Sequence, residues 1–258
     1  MLKWIWGCWL LMPLFGLMAA PSRTLTVASS EWPPFIMVDG QGRMSGIDID
    51  LIQALERHTG LQFIVKIYPW GRVLRYAEVG EIDMVFSIAK TLERERYVEY
   101  LSPPYIACPP AFYARPDLAG QIRNYQDLGA HQVGYVLKSA HFARFDNDEQ
   151  LDKHGVPTET QLLGMLMRDH LQVMVAGSCH MDYILSRHNP AGLVKTTYRP
   201  PEQEGVYLAM SRLSPHKALG VKIEQALAET VKSGELARIV ARYYPPMATV
   251  PVRPATSP

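Results

Sequence analysis

Apolar residues recur with two different periods along this chain, and the switches between them predict its elements. Leu25-Thr26-Val27-Ala28 alternates as a strand and stops at Ser29-Ser30-Glu31-Trp32-Pro33-Pro34-Phe35, where two prolines fix an extended, non-helical path. After the turn signal Asp39-Gly40-Gln41-Gly42, residues 47–58 read as a helix with Ile47, Leu51 and Leu55 on one face and Gly60 as its stop. Leu61, Phe63, Val65 and Ile67 alternate as a second strand; a helix follows Pro69 and runs through Val79, and residues 82–88 form a third strand. Short β-α-β-α-β units of this kind predict an α/β lobe of three layers around a largely parallel sheet.

Pro103-Pro104 and Pro109-Pro110 then interrupt the pattern, which suits a crossover out of that lobe rather than the interior of either. A second set of units follows: a strand at 132–136, a helix after Ser139, a helix at 160–168, a strand at 171–176 and a helix at 182–187. A last strand at 206–210 leads to Ser214-Pro215, an N-cap and N1 proline for a helix reaching Val231; Gly234 separates it from a final helix at 235–244. The expected organisation is lobe 1 over 21–110, lobe 2 over 111–212, and a return to lobe 1 over 213–247. The last 14 residues hold five prolines, so a disordered tail is expected, over 248–258 in particular.

The first twenty residues change this picture. Residues 4–20 carry no charge and end in Leu17-Met18-Ala19-Ala20, behind Lys3, the layout of a cleaved signal peptide over 1–20 and hence of a chain bound for the periplasm. Removal of that segment leaves 25 basic and 25 acidic residues. With no basic excess or Lys/Arg run, nucleic acid is not an expected partner. Cys108 and Cys179 remain, and their spacing leaves both a bridge and two buried thiols open. Six of eight histidines fall between His131 and His188, with His180 beside Cys179, but they scatter over loops and helix faces; neither a metal nor a cofactor is expected.

The candidate chemistry centres on residues 86–96. An apolar strand runs out into a polar turn that offers the Thr91 hydroxyl and, three residues on, the Arg94 guanidinium, the equipment for holding a carboxylate. Trp32 and Phe35 sit on a stiff loop just past a strand end, where open α/β sheets bind ligands. Trp70 and Arg72 offer a stacking face and a second cation.

The order of motifs resembles the family 3, polar-amino-acid type, periplasmic solute-binding proteins of bacterial ABC importers. The matching pieces are Trp32-Pro33-Pro34-Phe35, Gly46-Ile47-Asp48-Ile49-Asp50-Leu51, Gly80-Glu81-Ile82-Asp83-Met84, Thr91-Leu92-Glu93-Arg94, Ser102-Pro103-Pro104-Tyr105, Gly234-Glu235-Leu236 and Tyr243-Tyr244. The resemblance implies a type II, periplasmic-binding-protein-like fold: two α/β lobes joined by a two-strand hinge, near residues 107–112 and 210–213, that close on a small carboxylate-bearing solute for a membrane permease. It implies that Arg94 clamps the ligand's α-carboxylate with help from the hydroxyl and N–H of Thr91, that Ser87 supplies a hydroxyl while Ala89 lacks one, and that Ser139 is what remains of a Gly-Thr/Ser-Thr turn in lobe 2. It also implies an acid for an α-ammonium after the strand at 171–176, where this chain has Gly177-Ser178. Either Glu31, Asp182 or Glu204 supplies that charge, or the ligand lacks an α-amino group, because a buried ammonium without a partner costs several kcal/mol.

A monomeric binding protein without catalytic residues is the expectation, since no Gly-x-Ser-x-Gly, His-Glu-x-x-His, phosphate-loop or dinucleotide motif occurs. The fold also resembles secreted cyclohexadienyl dehydratases, whose chemistry needs an acid in the cleft, and a periplasmic sensor for a signalling partner is a third reading.

Overall fold

A computed structural model describes residues 24–189, 192–201 and 205–244. The expected signal segment, the tail from Pro245 and Glu204 lie outside the described residues. The chain begins with β1 (Thr24–Ser29), a hairpin of β2 (Met37–Val38) and β3 (Met44–Ser45), α1 (Ile47–Thr59), β4 (Gln62–Ile67), α2 (Trp70–Val79), β5 (Met84–Ala89) and β6 (Val98–Ala107). It continues through β7 (Pro110–Ala114), α3 (Pro116–Ala119), β8 (Val133–Val136), α4 (Ala143–Asp146), β9 (Lys153–Val156), α5 (Glu159–Met167), β10 (Val173–Gly177), α6 (Ser178–Arg187) and β11 (Val194–Lys195). It ends with β12 (Gly205–Ser211), α7 (Gly220–Lys232) and α8 (Glu235–Ala241).

Two five-stranded sheets organise these elements, in the orders β4-β1-β5-β12-β6 and β11-β7-β10-β8-β9. In the first, β4, β1 and β5 are parallel, with Thr24 opposite Gln62 and Val27 opposite Met84, while β12 runs antiparallel to both β5 and β6. Apolar residues cover both faces of this sheet: Val27, Leu51, Phe86 and Leu227 on one side, and Val73, Ile82, Val85 and Ile88 on the other. The second sheet is buried on both faces as well, by Leu162, Met174 and Met181 and by Phe112, Phe145 and Val173. Each lobe is therefore the expected three-layer α/β unit.

The outward crossover falls between β6 and β7, at Cys108-Pro109. The return differs from the expectation: β12 is already paired with β6 at Gly205, opposite Ala107, so the chain re-enters lobe 1 between Lys195 and Gly205 and not at 210–213. An isolated strand reading carries no information on which sheet accepts it. Ser214 does not cap the long helix either. Its hydroxyl donates to the Asp83 carboxylate and accepts the His216 N–H, and α7 begins at Gly220 after a 3-10 turn at Lys217–Leu219.

Pro103 and Pro104 prove to lie inside a ten-residue strand rather than to end one. β6 is an edge strand, and its register against β12 jumps from Leu101 to Ile106, so the two prolines occupy a bulge where no ladder N–H is needed. The bulge turns Tyr105 inward, where it is 2% exposed. The hairpin ahead of α1 is equally constrained: Gly46 has φ 127°, and a Cβ there would sit 2.2 Å from the Phe35 carbonyl oxygen. That close approach lets Ile47 and Asp48 donate their N–H groups to the Pro34 and Phe35 carbonyls, which fixes the start of α1 beneath the first lobe's strand ends.

Candidate functional site

A cavity of about 540 Å³ lies between the lobes, lined by Ser29 to Pro33, the turn into α2, the end of β5, the β8–α4 loop and the first turns of α5 and α6. Both sheets present strand ends and helix starts to it, the usual position for a ligand in open α/β sheets.

Arg94 reaches this cavity from the 3-10 turn at Arg94–Arg96 and is 4% exposed. Its guanidinium donates to the Ala89 carbonyl in lobe 1 and to the Lys138 carbonyl in lobe 2, each at 2.8 Å, and lies 5.5 Å from the Trp70 ring. Trp70 Nε1 donates to the same Lys138 oxygen at 3.2 Å. Lys138 has φ 66°, a left-handed conformation that aims its carbonyl across the interface. Among the described residues no carboxylate pairs with Arg94, so the guanidinium is a buried cation met only by neutral oxygens.

Ser87, Trp32, Trp70 and Ser139 line the cavity with Arg94, while Thr91, Phe35, Arg72 and Ser178 do not. Thr91 stands behind the clamp: its Oγ1 accepts the Arg94 N–H and its own N–H donates to the Tyr100 hydroxyl, so its N–H is engaged inside lobe 1. Phe35 is fully buried and stacks on Trp32 at 4.5 Å. Arg72 is exposed on α2, and Ser178 donates its N–H to the Pro109 carbonyl.

Three further polar groups, Asp48, His141 and Glu159, belong to this region. Ser87, with φ 55°, donates its hydroxyl to Asp48 at 2.6 Å; the Tyr105 hydroxyl reaches the other Asp48 oxygen at 2.8 Å. Asp48 is fully buried, and burial raises its carboxyl to about 6 in spite of the two hydroxyl donors. Its helical stripe betrays it: Asp48 precedes Leu51, Ile52 and Leu55 by three, four and seven residues, so an acid sits on the apolar face of α1. In lobe 2, His141 lines the cavity at 9% exposure with Nε2 free of any hydrogen-bond partner, and burial lowers its imidazole to about 4. Glu159, in the first turn of α5, meets His180 Nε2 at 3.1 Å, and His180 Nδ1 meets the Pro33 carbonyl of lobe 1. Both ring nitrogens of His180 thus face oxygen acceptors, which requires the imidazolium. Burial opposes that charge, but the Glu159 carboxylate and the Pro33 carbonyl outweigh it and raise the pKa.

Cys108 and Cys179 form a disulfide with Cα atoms 5.3 Å apart, at the crossover and the start of α6. The bridge explains the glycine where an acid was sought. A Cβ on Gly177 would lie 2.8 Å from Cys108 Sγ and 3.2 Å from the Trp32 ring. Of the other acids considered, Asp182 accepts the Tyr113 hydroxyl and pairs with Lys195 and does not line the cavity, while Glu31 lines it from an exposed loop.

Two lobes, two crossovers and a largely apolar cleft holding an unpaired cation define a receptor for small solutes. The sequence model for bacterial extracellular solute-binding proteins, family 3, matches residues 25–246, and the chain belongs to that family. It is 21% identical over 219 residues to a probable amino-acid-binding protein of Bacillus subtilis, YxeM, covering 84% of this chain and 82% of that protein. Over a shorter stretch, 41% of this chain and 40% of the relative, it is 27% identical to the L-cystine-binding protein TcyJ of Escherichia coli. Among solved structures, it shares the fold of the amino acid ABC transporter substrate-binding protein AbpA of Streptococcus pneumoniae bound to L-arginine, with TM-score 0.76, 20% identity, and coverage of 86% of this chain and 94% of that one. A histidine kinase sensor domain similar to periplasmic binding proteins has TM-score 0.77 at 20% identity, covering 86% and 96%.

Proposed function

We propose that the protein is exported by a cleaved signal peptide and, as a monomer, closes on a small carboxylate-bearing solute, an amino acid or related organic acid, which it delivers to an ABC permease without chemical turnover. The observation that carries this reading is Arg94, a buried guanidinium that faces the cleft with no acid of its own. A lone buried cation is costly, and a ligand carboxylate compensates it through charge-assisted hydrogen bonds. Because the same guanidinium bonds Lys138 across the cleft, seating the anion and closing the lobes reinforce each other. Ser139 stands on the opposing wall, where it can add a hydrogen bond to the solute, and His141 lines the same wall. The relatives' amino-acid and cystine binding supports the same solute class.

Arg94→Ala is expected to cost about 2–4 kcal/mol of affinity for a carboxylate solute, measured by titration calorimetry with an amino acid that raises the wild-type melting temperature. Unchanged affinity would remove the carboxylate clamp.

A further inference from the structure

We infer that Asp48, acting through Ser87, is the counter-charge for an ammonium group on the solute, so that the cleft takes a free amino acid. The inference rests on the carboxylate reading above and narrows it.

Among the described residues the second lobe has no acid to spare for an ammonium. Its Gly177 position is sealed by the disulfide, Asp182 belongs to Lys195 and Tyr113, and Glu159 is neutralised by the His180 imidazolium. Glu31 is exposed at the cleft mouth, where a charge pair is worth little. The first lobe, by contrast, holds a fully buried carboxylate with no cation near it. Asp48 faces the hydroxyls of Ser87 from β5 and Tyr105 from β6, and no charged group of the described residues acts on it. Asp50, two residues on, is engaged with Tyr243 and Arg242.

The hydrogen-bond directions make Ser87 the outlet of that charge. Asp48 takes the protons of both hydroxyls, and the Ser87 N–H donates to the Tyr105 oxygen at 3.1 Å. Ser87 Oγ is left with lone pairs only, on a residue that lines the cavity, so it accepts from a solute N–H and cannot donate to one. The left-handed backbone of Ser87 is the kind of strain that persists where a side chain must be held in one direction. Arg94 binds the Ala89 carbonyl, two residues further along β5. The guanidinium and the Ser87 hydroxyl thus stand at the same end of β5 and both face the cavity, as a solute carrying an α-carboxylate and an α-ammonium requires. Asp48 is a positioning residue: it orients and charges Ser87 and does not touch the solute.

The test uses the mature protein, the common L-amino acids, and the matching L-2-hydroxy acid of each amino acid that raises the melting temperature. The hydroxy acid keeps carboxylate and side chain and lacks the ammonium. In wild type the amino acid is expected to bind at least about tenfold tighter than its hydroxy partner. Its affinity should fall about tenfold per unit as pH drops below about 6, where Asp48 takes up its proton, while the hydroxy acid shows no such slope. Asp48→Asn and, as a second variant should the first fold poorly, Ser87→Ala should erase the preference and the slope, costing the amino acid at least about tenfold more affinity than the hydroxy acid, whose α-hydroxyl loses only a neutral hydrogen bond. Equal binding of the two acids, or equal losses for both in these variants, overturns the inference. If Arg94→Ala still abolishes both in that case, the carboxylate reading survives; if no carboxylate compound binds, both readings fall.

Discussion

The two walls of the cleft carry the same kinds of groups in opposite states of pairing. On the first lobe, Arg94 and Asp48 are buried charges kept apart and bonded only to neutral oxygens and hydroxyls. On the second, Glu159 and His180 neutralise each other, and His141 is held uncharged. Unpaired charge next to a cavity is a standing demand for a ligand, whereas paired charge is a strut. In the proposed reading, recognition belongs to the first wall. The second wall is then the lid, and His180 joins it to the first lobe at the Pro33 carbonyl.

The largest expected effects come from titrating one wall against the other. His141 is depressed from 6.5 to about 4, so the folded state refuses a proton that the unfolded chain accepts, and acidification from 6.5 toward 4 should cost about 3 kcal/mol of stability. Asp48 is raised from 3.8 to about 6, so the folded state takes its proton first, and the same acidification should return about 3 kcal/mol. The terms oppose each other in wild type. Urea melts between pH 6.5 and 4 should show His141→Phe gaining stability relative to wild type as pH falls and Asp48→Asn losing it; parallel curves would erase the contrast between the walls. His180, with its raised pKa, keeps its contribution through this window and loses it only as pH rises beyond.

Unpairing the second wall is a smaller perturbation. Glu159→Gln should lower stability at pH 6 by about 2 kcal/mol and lower the His180 pKa seen by NMR, yet preserve the preference for an amino acid over its hydroxy acid. Loss of that preference would move recognition to the lid. Smallest of all, Lys138→Gly should raise stability by about 1 kcal/mol in thermal melts, because glycine adopts φ 66° without strain and keeps the carbonyl that Arg94 and Trp70 share.

Much of the first lobe was legible in the sequence. The apolar period of α1, the strand at β5 and the Thr91-Leu92-Glu93-Arg94 turn placed Arg94 and Trp70 near a strand end, because local periodicity fixes those elements. Arg72 was misleading for a local reason: it follows Trp70 by two positions, and residues two apart on a helix point to different sides. Phe35 looked like a cleft residue but serves as the support under Trp32. The second wall was opaque because its meaning is tertiary. His141 lies in an irregular loop, Glu159 reads as an ordinary first-turn acid after the Thr158 cap, and only the closed disulfide shows why Gly177 carries no side chain. The strand β6 was hidden by its prolines, which forbid a central strand and are silent about an edge.

Those prolines matter beyond Tyr105. An open sheet has two margins where a passing chain, another copy of the same protein included, can add itself. Here one margin is broken by Pro103-Pro104 in the β6 bulge, whereas the other, β4, turns Gln62, Ile64 and Lys66 outward to solvent. Missing donors on the β6 side deny an incoming strand its template there. The irregularity that aims a hydroxyl at Asp48 thus also blunts one edge of the first sheet against strand addition.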